Sequence, residues 1–173
     1  MHLLGISGSL RAGSFNSRLL AVAGDHVPDG WSFSAYDGLR DIPPFDADAE
    51  EPAPAAVAAF REAIEAADAV LISTPEYNSS LPGQLKNALD WASRPFATNA
   101  LRNRPAVVIS ASTNPFGGIW AAASSRELND PARRLPEMPR RCMVRTPARA
   151  RTTPRCGPCW PGGSRRRGAG RSS

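Results

Sequence analysis

Four short apolar runs, separated by polar loops and stretches of helical periodicity, constrain this chain more than any other feature. They are Leu3–Ser7, Trp31–Tyr36, Ala69–Ser73 and Ala106–Ser110. LLGIS, AVLIS and AVVIS are apolar at nearly every position, which marks strands buried on both faces. WSFSAY alternates apolar and small polar residues instead. Between the runs the spacing predicts helices. Phe15–Ala23 has Ser14 as its N-cap, Ala55–Ala67 carries Val57, Phe60 and Ile64 at three- and four-residue steps, and Leu85–Ala92 is entered through Pro82–Gly83. DIPPFDADAEEPAP is an acidic, Pro-rich loop, and a last helical piece begins near Ile119. The order β-α-β-α-β-α-β predicts an α/β fold, a doubly wound parallel sheet in a three-layer α/β/α arrangement. Right-handed crossovers bring the carboxyl ends of the strands to one edge, where ligands of such sheets bind in the loops.

Three polar loops fall at that edge, at 7–16, 74–80 and 111–118. The first, in GSLRAGSFNSRLL, joins a strand to a helix start, where free backbone N–H groups and the helix dipole favour an anion. Ser9, Ser14 and Asn16 add hydrogen-bonding groups and Arg11 adds a fixed charge, a set suited to a phosphate monoester. Neither a Gly-Lys-Ser/Thr phosphate loop nor G-x-G-x-x-G is present. Taken alone, the loop fits a capped helix start with one solvated arginine equally well. The second loop, TPEYNSSLPGQ, sets Tyr77 among backbone groups and Asn78, which suits a flat heteroaromatic ligand or a plain surface turn. The third, SASTNPFGGIW, has Gly117–Gly118, which permits close backbone approach. Together the three loops fit a mononucleotide with a large flat ring.

GSLRAGSFN (8–16), PEYNSSLPGQLKNALDWASRP (75–95) and SASTNPFGGIW (110–120) resemble the NADPH-dependent FMN reductase family, whose fold is flavodoxin-like; the resemblance covers residues 1–124. It implies that Ser9, Arg11, Ser14, Asn16 and the backbone of Phe15 surround the FMN phosphate. It further implies that Pro75, Glu76, Tyr77 and Asn78 line the isoalloxazine ring and that Ser112 and Gly117 close the site. The implied activity is oxidoreduction: hydride passes from NADPH or NADH through FMN to free flavin, a quinone or a similar small acceptor. Since the cofactor carries the chemistry, no residue is assigned as a catalytic acid or base, and no metal ligands are assigned. Glu76 reads as a structural carboxylate bonded to nearby backbone, and His2 and His26 lie outside the loops. Lys86, Asp90 and Arg94 recur at four-residue steps on one helix face, either a solvated salt-bridged face or a subunit contact. The resemblance implies a homodimer or homotetramer through that helix, with Trp91 as an interface anchor.

Charge divides the chain. Residues 1–124 carry 8 basic and 13 acidic side chains, whereas 125–173 carry 13 arginines and 3 acids, so the net charge of +5 averages two unlike parts. The expected organisation is a domain over 1–124 and an Arg/Pro-rich tail over 125–173 that lacks a normal last strand and closing helix, with only CMV at 142–144 hinting at a strand. Such a composition cannot bury enough apolar surface to offset the cost of ordering it. The tail reads as disordered or as the product of a reading-frame change, which would leave a truncated form of weak or no activity. A basic-tailed nucleic-acid binder is the remaining alternative, but no recognition motif accompanies the arginines. CGPC at Cys156–Cys159 has the spacing of a thioredoxin redox motif, yet Pro-Gly-Gly follows closely and no helix can begin there. No apolar stretch is long enough for a membrane span and no signal peptide is read, so the expected compartment is the cytoplasm.

Overall fold

The computed structural model describes residues 1–113, 115–127 and 143–145. Its elements are β1 (His2–Ser7), α1 (Phe15–Gly24), β2 (Ser32–Tyr36), α2 (Ala55–Glu65), β3 (Ala69–Ser73), α3 (Gly83–Ala92), β4 (Ala106–Ser112), α4 (Ile119–Glu127) and β5 (Met143–Arg145), with short 3-10 turns at Gly38–Asp41 and Ala47–Ala49. All strand pairings are parallel and the order is β2-β1-β3-β4-β5. This is the flavodoxin-like order. The fifth strand is three residues long, against five to seven in the others. Ser110, Ala111 and Ser112 of β4 register with Met143, Val144 and Arg145, so the sheet takes in part of the segment that the sequence sets apart as tail. A closing helix beyond Arg145, the CGPC motif and the rest of the Arg/Pro-rich run lie outside the described residues.

Alternation along the strands sorts side chains between two layers. Leu4, Ile6, Val70, Ile72, Ala106 and Val108 face α2 and α3, where Val57, Phe60, Ile64, Leu85, Ala88, Leu89, Trp91 and Ala92 complete the larger core; Ala121 of α4 joins them. Leu3, Leu71, Val107 and Ile109 face the opposite side with Leu20 of α1 and Phe33. The α2 periodicity read from Val57, Phe60 and Ile64 is the buried face of that helix, and all three are fully buried. β4 runs two residues beyond the apolar run that predicts it, because Ala111 and Ser112 continue the ladder onto β5.

Trp91 departs from expectation. It is fully buried, its indole Nε1 donates to the Pro43 carbonyl at 2.9 Å and its ring meets Phe45 edge-on, so it anchors the acidic loop to α3 and is no surface anchor. Asn87 supports the same loop, taking the Phe45 N–H and donating to Pro43, while Gln84 donates to the carbonyls of Leu39 and Ile42. Lys86 and Asp90 form the expected i,i+4 pair, whereas Arg94 lies past the end of α3 and pairs with Glu50.

Candidate functional site

The strand order makes the site. From β1 the chain moves outward to β2 and returns past β1 to β3, so the connections leaving β1 and β3 diverge and open a crevice at the carboxyl edge. The loops after β1, β3 and β4 meet there, as the sequence reading expects.

The first loop leaves β1 at Ser7 and enters α1 at Phe15. Ser14 is the N-cap: its hydroxyl oxygen accepts the Asn16 N–H at 3.2 Å, while the Ser14 N–H closes onto the Arg11 carbonyl at 3.2 Å. Gly13 has φ +71, a left-handed conformation that favours glycine. Among the described residues the N–H groups of Ala12, Gly13 and Phe15 have no acceptor. Orphan donors at a helix N-terminus, beside an exposed arginine, fit a phosphate group. The Arg11 guanidinium donates to the Gly13 carbonyl at 3.3 Å and lies 5.9 Å from the centre of the Phe15 ring. Ser9 is buried, with its hydroxyl oxygen accepting the Arg11 N–H.

Asn16 is brought to the loop but turned inward. Its amide nitrogen donates to the Ala111 carbonyl at 3.0 Å, its amide oxygen accepts the Ala111 N–H at 2.9 Å, and the Ser73 hydroxyl donates to that oxygen at 3.3 Å. The side chain is therefore engaged with β3 and β4 through its amide oxygen and one amide N–H. Its part is to tie the start of α1 to the end of β4.

The second loop follows Ser73. Asn78 and Ser79 have φ of 51 and 57, and Tyr77 and Ser80 exchange backbone hydrogen bonds at 3.1 and 3.0 Å, so PEYNSS closes as a tight hairpin turn. Tyr77 stands half exposed at its base. Glu76 reaches across to the third loop, where its Oε2 accepts the N–H groups of Trp120 at 3.0 Å and Ala121 at 3.3 Å. These are first-turn donors of α4, so Glu76 is a helix cap supplied by another loop, the structural carboxylate expected of it.

In the third loop Gly117 and Gly118 both adopt positive φ. A side chain at Gly118 would place its Cβ 2.1 Å from the Ser110 hydroxyl, which itself donates to the Thr74 carbonyl at 2.7 Å. Gly117, in the third loop, is buried, and Ser112, at the end of β4, is half-buried. Phe116 and Trp120 were not singled out from the sequence. Their rings meet edge-on at 5.0 Å and both remain exposed, an aromatic pair at the rim of the third loop. Arg40 was also missed; its guanidinium donates to the Leu10 carbonyl at 2.8 Å from the turn after β2.

Residues 1–145 match the NADPH-dependent FMN reductase family. The chain is 49% identical over 128 residues to an NAD(P)H-dependent FMN reductase of Pseudomonas aeruginosa, covering 73% of this chain and 68% of that one. It is 41% identical over 130 residues to a quinone reductase of Escherichia coli, covering 74% of this chain and 69% of that one. The structure resembles FerB, a flavoenzyme NAD(P)H:(acceptor) oxidoreductase of Paracoccus denitrificans, with a TM-score of 0.68, 37% identity, and coverage of 73% of this chain and 70% of that one.

Proposed function

The chain belongs to the NADPH-dependent FMN reductase family, and from that premise we propose that it holds FMN in the crevice at the carboxyl edge of its sheet and reduces free flavin, a quinone or a similar small acceptor at the expense of NADPH or NADH. The observation that carries this reading is the set of unpaired N–H groups at Ala12, Gly13 and Phe15, with Arg11 beside them at the start of α1. FMN held there by Arg11, Ser9, Ser14 and the loop amides would supply the redox chemistry of hydride and electron transfer. The protein's work is binding and orientation. Arg11, Ser9, Ser14 and the loop amides neutralise and fix the phosphate end. Pro75, Glu76, Tyr77 and Asn78 border the ring, with Ser112 and Gly117 closing the far side. Asn16 keeps these loops at a fixed separation, and Tyr77, Phe116 and Trp120 present ring surface that sheds water from the reacting face.

We further propose a homodimer or homotetramer, supported by exposed Tyr77, Phe116, Ile119 and Trp120 at the site's rim, and a cytoplasmic location. Among the described residues no helix is long and apolar enough to cross a membrane. The decisive test is FMN titration of the purified full chain, followed by NADPH oxidation with a quinone. Replacing Arg11 and Ser14 together by alanine removes one charged and one neutral donor, which corresponds to a loss of FMN affinity of roughly tenfold or more. A well-folded double variant that binds FMN as the wild type does would overturn the assignment.

A further inference from the structure

Two arginines meet at the amino edge of the sheet, opposite the crevice. α2 ends at Glu65 and β4 begins at Ala106, so the turns between α3 and β4 lie beside the end of α2. A cavity of about 380 Å³ opens there, lined by Ala100 and by Glu65, Thr98, Asn99, Arg102, Asn103 and Arg104. That volume is in the range of small-ligand sites. Arg104 is half-buried. Its Nη2 donates to the Glu65 carbonyl at 2.6 Å, which holds the guanidinium against the end of α2, while its buried Nε has no acceptor among the described residues. Arg102 is exposed and donates through Nη1 to the Ala97 carbonyl at 3.0 Å. Asn103, between them, has φ 61, and the Arg104 N–H closes onto the Leu101 carbonyl at 3.2 Å, a turn tight enough to set both arginines on one cavity. Among the described residues the ion pairs are Lys86 with Asp90 and Arg94 with Glu50. Neither Arg102 nor Arg104 takes part in one, and neither does Glu65, the carboxylate in the lining. Two adjacent guanidinium groups without a carboxylate partner repel each other, and a buried charged donor left without an acceptor is costly.

We propose that this cavity is a second anion site, which takes a phosphate group between the Arg102 and Arg104 guanidinium groups at the edge of the sheet remote from the flavin crevice. The two fixed positive charges outweigh the single carboxylate of Glu65, so the lining favours an anion. Geometry favours phosphate over carboxylate. The two coplanar oxygens of a carboxylate are satisfied by one guanidinium fork, whereas a tetrahedral phosphate presents oxygens in several directions and suits two forks together with the Thr98 hydroxyl. A phosphate oxygen at Arg104 supplies the acceptor that its Nε lacks within the chain. Arg104 is preset for this role, because the Glu65 carbonyl holds one of its nitrogens and orients the rest. The occupant, free phosphate or a phosphate ester, bridges the end of α2 to the turns that lead into β4. The inference stands apart from the FMN-binding reading, since no residue is shared with the three loops.

The test uses the full chain in the presence of excess FMN, with inorganic phosphate and glycerol 3-phosphate as probes at constant ionic strength. Binding is measured by calorimetry on the wild type, Arg102→Gln, Arg104→Gln and Glu65→Gln, with FMN affinity measured separately on each. The expected result is a loss of phosphate affinity of roughly tenfold in each arginine variant, tighter binding in Glu65→Gln, and FMN affinity unchanged throughout. Phosphate should also raise the melting temperature of the wild type and not that of Arg102→Gln. Tighter binding of the ester identifies an organic phosphate as the occupant and tighter binding of phosphate the free ion; both uphold the site. Equal phosphate affinity in the wild type and the arginine variants assigns the binding to other arginines and overturns the proposal, as does a wild type that binds neither probe at millimolar concentration. A loss of FMN affinity in Arg102→Gln places this arginine in the flavin's support and overturns it too. Arg102 is exposed, so its variant decides the matter even where Arg104→Gln fails to fold.

Discussion

Replacing Asn16 by alanine is the sharpest probe of how the site is built. The side chain is 2% exposed and makes two hydrogen bonds to the backbone of Ala111, at 3.0 and 2.9 Å, while accepting a third from the Ser73 hydroxyl. Ala111 is itself 4% exposed, so its N–H and carbonyl gain no water when the amide is removed. Each buried backbone group left without a partner costs about 1–3 kcal/mol. The Ser73 hydroxyl can rotate to another acceptor, so two orphaned groups set the scale, and the loss comes to about 2–6 kcal/mol. A domain in the upper part of the ordinary range, about 5–15 kcal/mol, remains folded. Urea unfolding reads this as a lower midpoint at unchanged slope. The same variant should bind FMN more weakly although no ligand contact is removed, because the start of α1 is no longer pinned to β4. Asn16→Asp is the companion. It retains an acceptor for the Ala111 N–H but sets a second oxygen, or a charge, against the Ala111 carbonyl, and should destabilise at least as much at neutral pH. If Asn16→Ala unfolds within about 0.5 kcal/mol of the wild type and binds FMN equally well, Asn16 is not the tie described here.

Gly118→Ala drives a Cβ to 2.1 Å from the Ser110 hydroxyl at φ +80, and should lower both thermal stability and FMN affinity by displacing the third loop from Thr74; preserved values in a melt and a titration would refute the packing argument. Glu76→Ala removes the acceptor for the Trp120 and Ala121 N–H groups and should cost about 1 kcal/mol in urea unfolding, with Glu76→Gln recovering part of it. Asp90→Asn breaks an exposed i,i+4 pair with Lys86 and should change stability by no more than about 0.5 kcal/mol. Tyr36 gives the alkaline limb of the stability profile. Its folded pKa lies above the unfolded value of 10.0, so the unfolded chain loses its proton first and stability declines as pH rises past that value; Tyr36→Phe should remove this part of the decline in unfolding measured across the alkaline range.

What was legible in the sequence was whatever depends on local pattern. The runs at 3–7, 69–73 and 106–110 declare buried strands because every residue in them must face one of two apolar layers, and Val57, Phe60 and Ile64 declare a helix because their spacing can serve only one face. Ser14 declares an N-cap for the same local reason. Trp91 was misread because the sequence shows the charges beside it on α3 and not the Pro43 carbonyl, 48 residues earlier, that takes its N–H. Arg40 was missed because nothing near it in sequence points to Leu10, 30 residues away. These partners are assigned only when connections from different strands are laid edge to edge.

The same consideration explains why the candidate site behaves as one unit. The three loops are far apart in the chain and each is short, so none carries enough packing to fix its own geometry. Asn16 links the first loop to the end of β4 across 95 residues, Glu76 links the second loop to the start of α4 across 45, and Ser110 links β4 to the Thr74 carbonyl across 36. Each link is a buried or half-buried polar side chain satisfying backbone groups of another loop, an arrangement that costs free energy when incomplete and is rigid when complete. A flavin held at one end by its phosphate and along its length by backbone needs those spacings fixed before it arrives, since ordering the loops on binding would subtract from affinity. Double-mutant cycles between Asn16→Ala and Glu76→Ala should therefore show coupling in FMN affinity of about 0.5 kcal/mol or more, although the two side chains share no contact; strict additivity would mean that the loops are positioned independently.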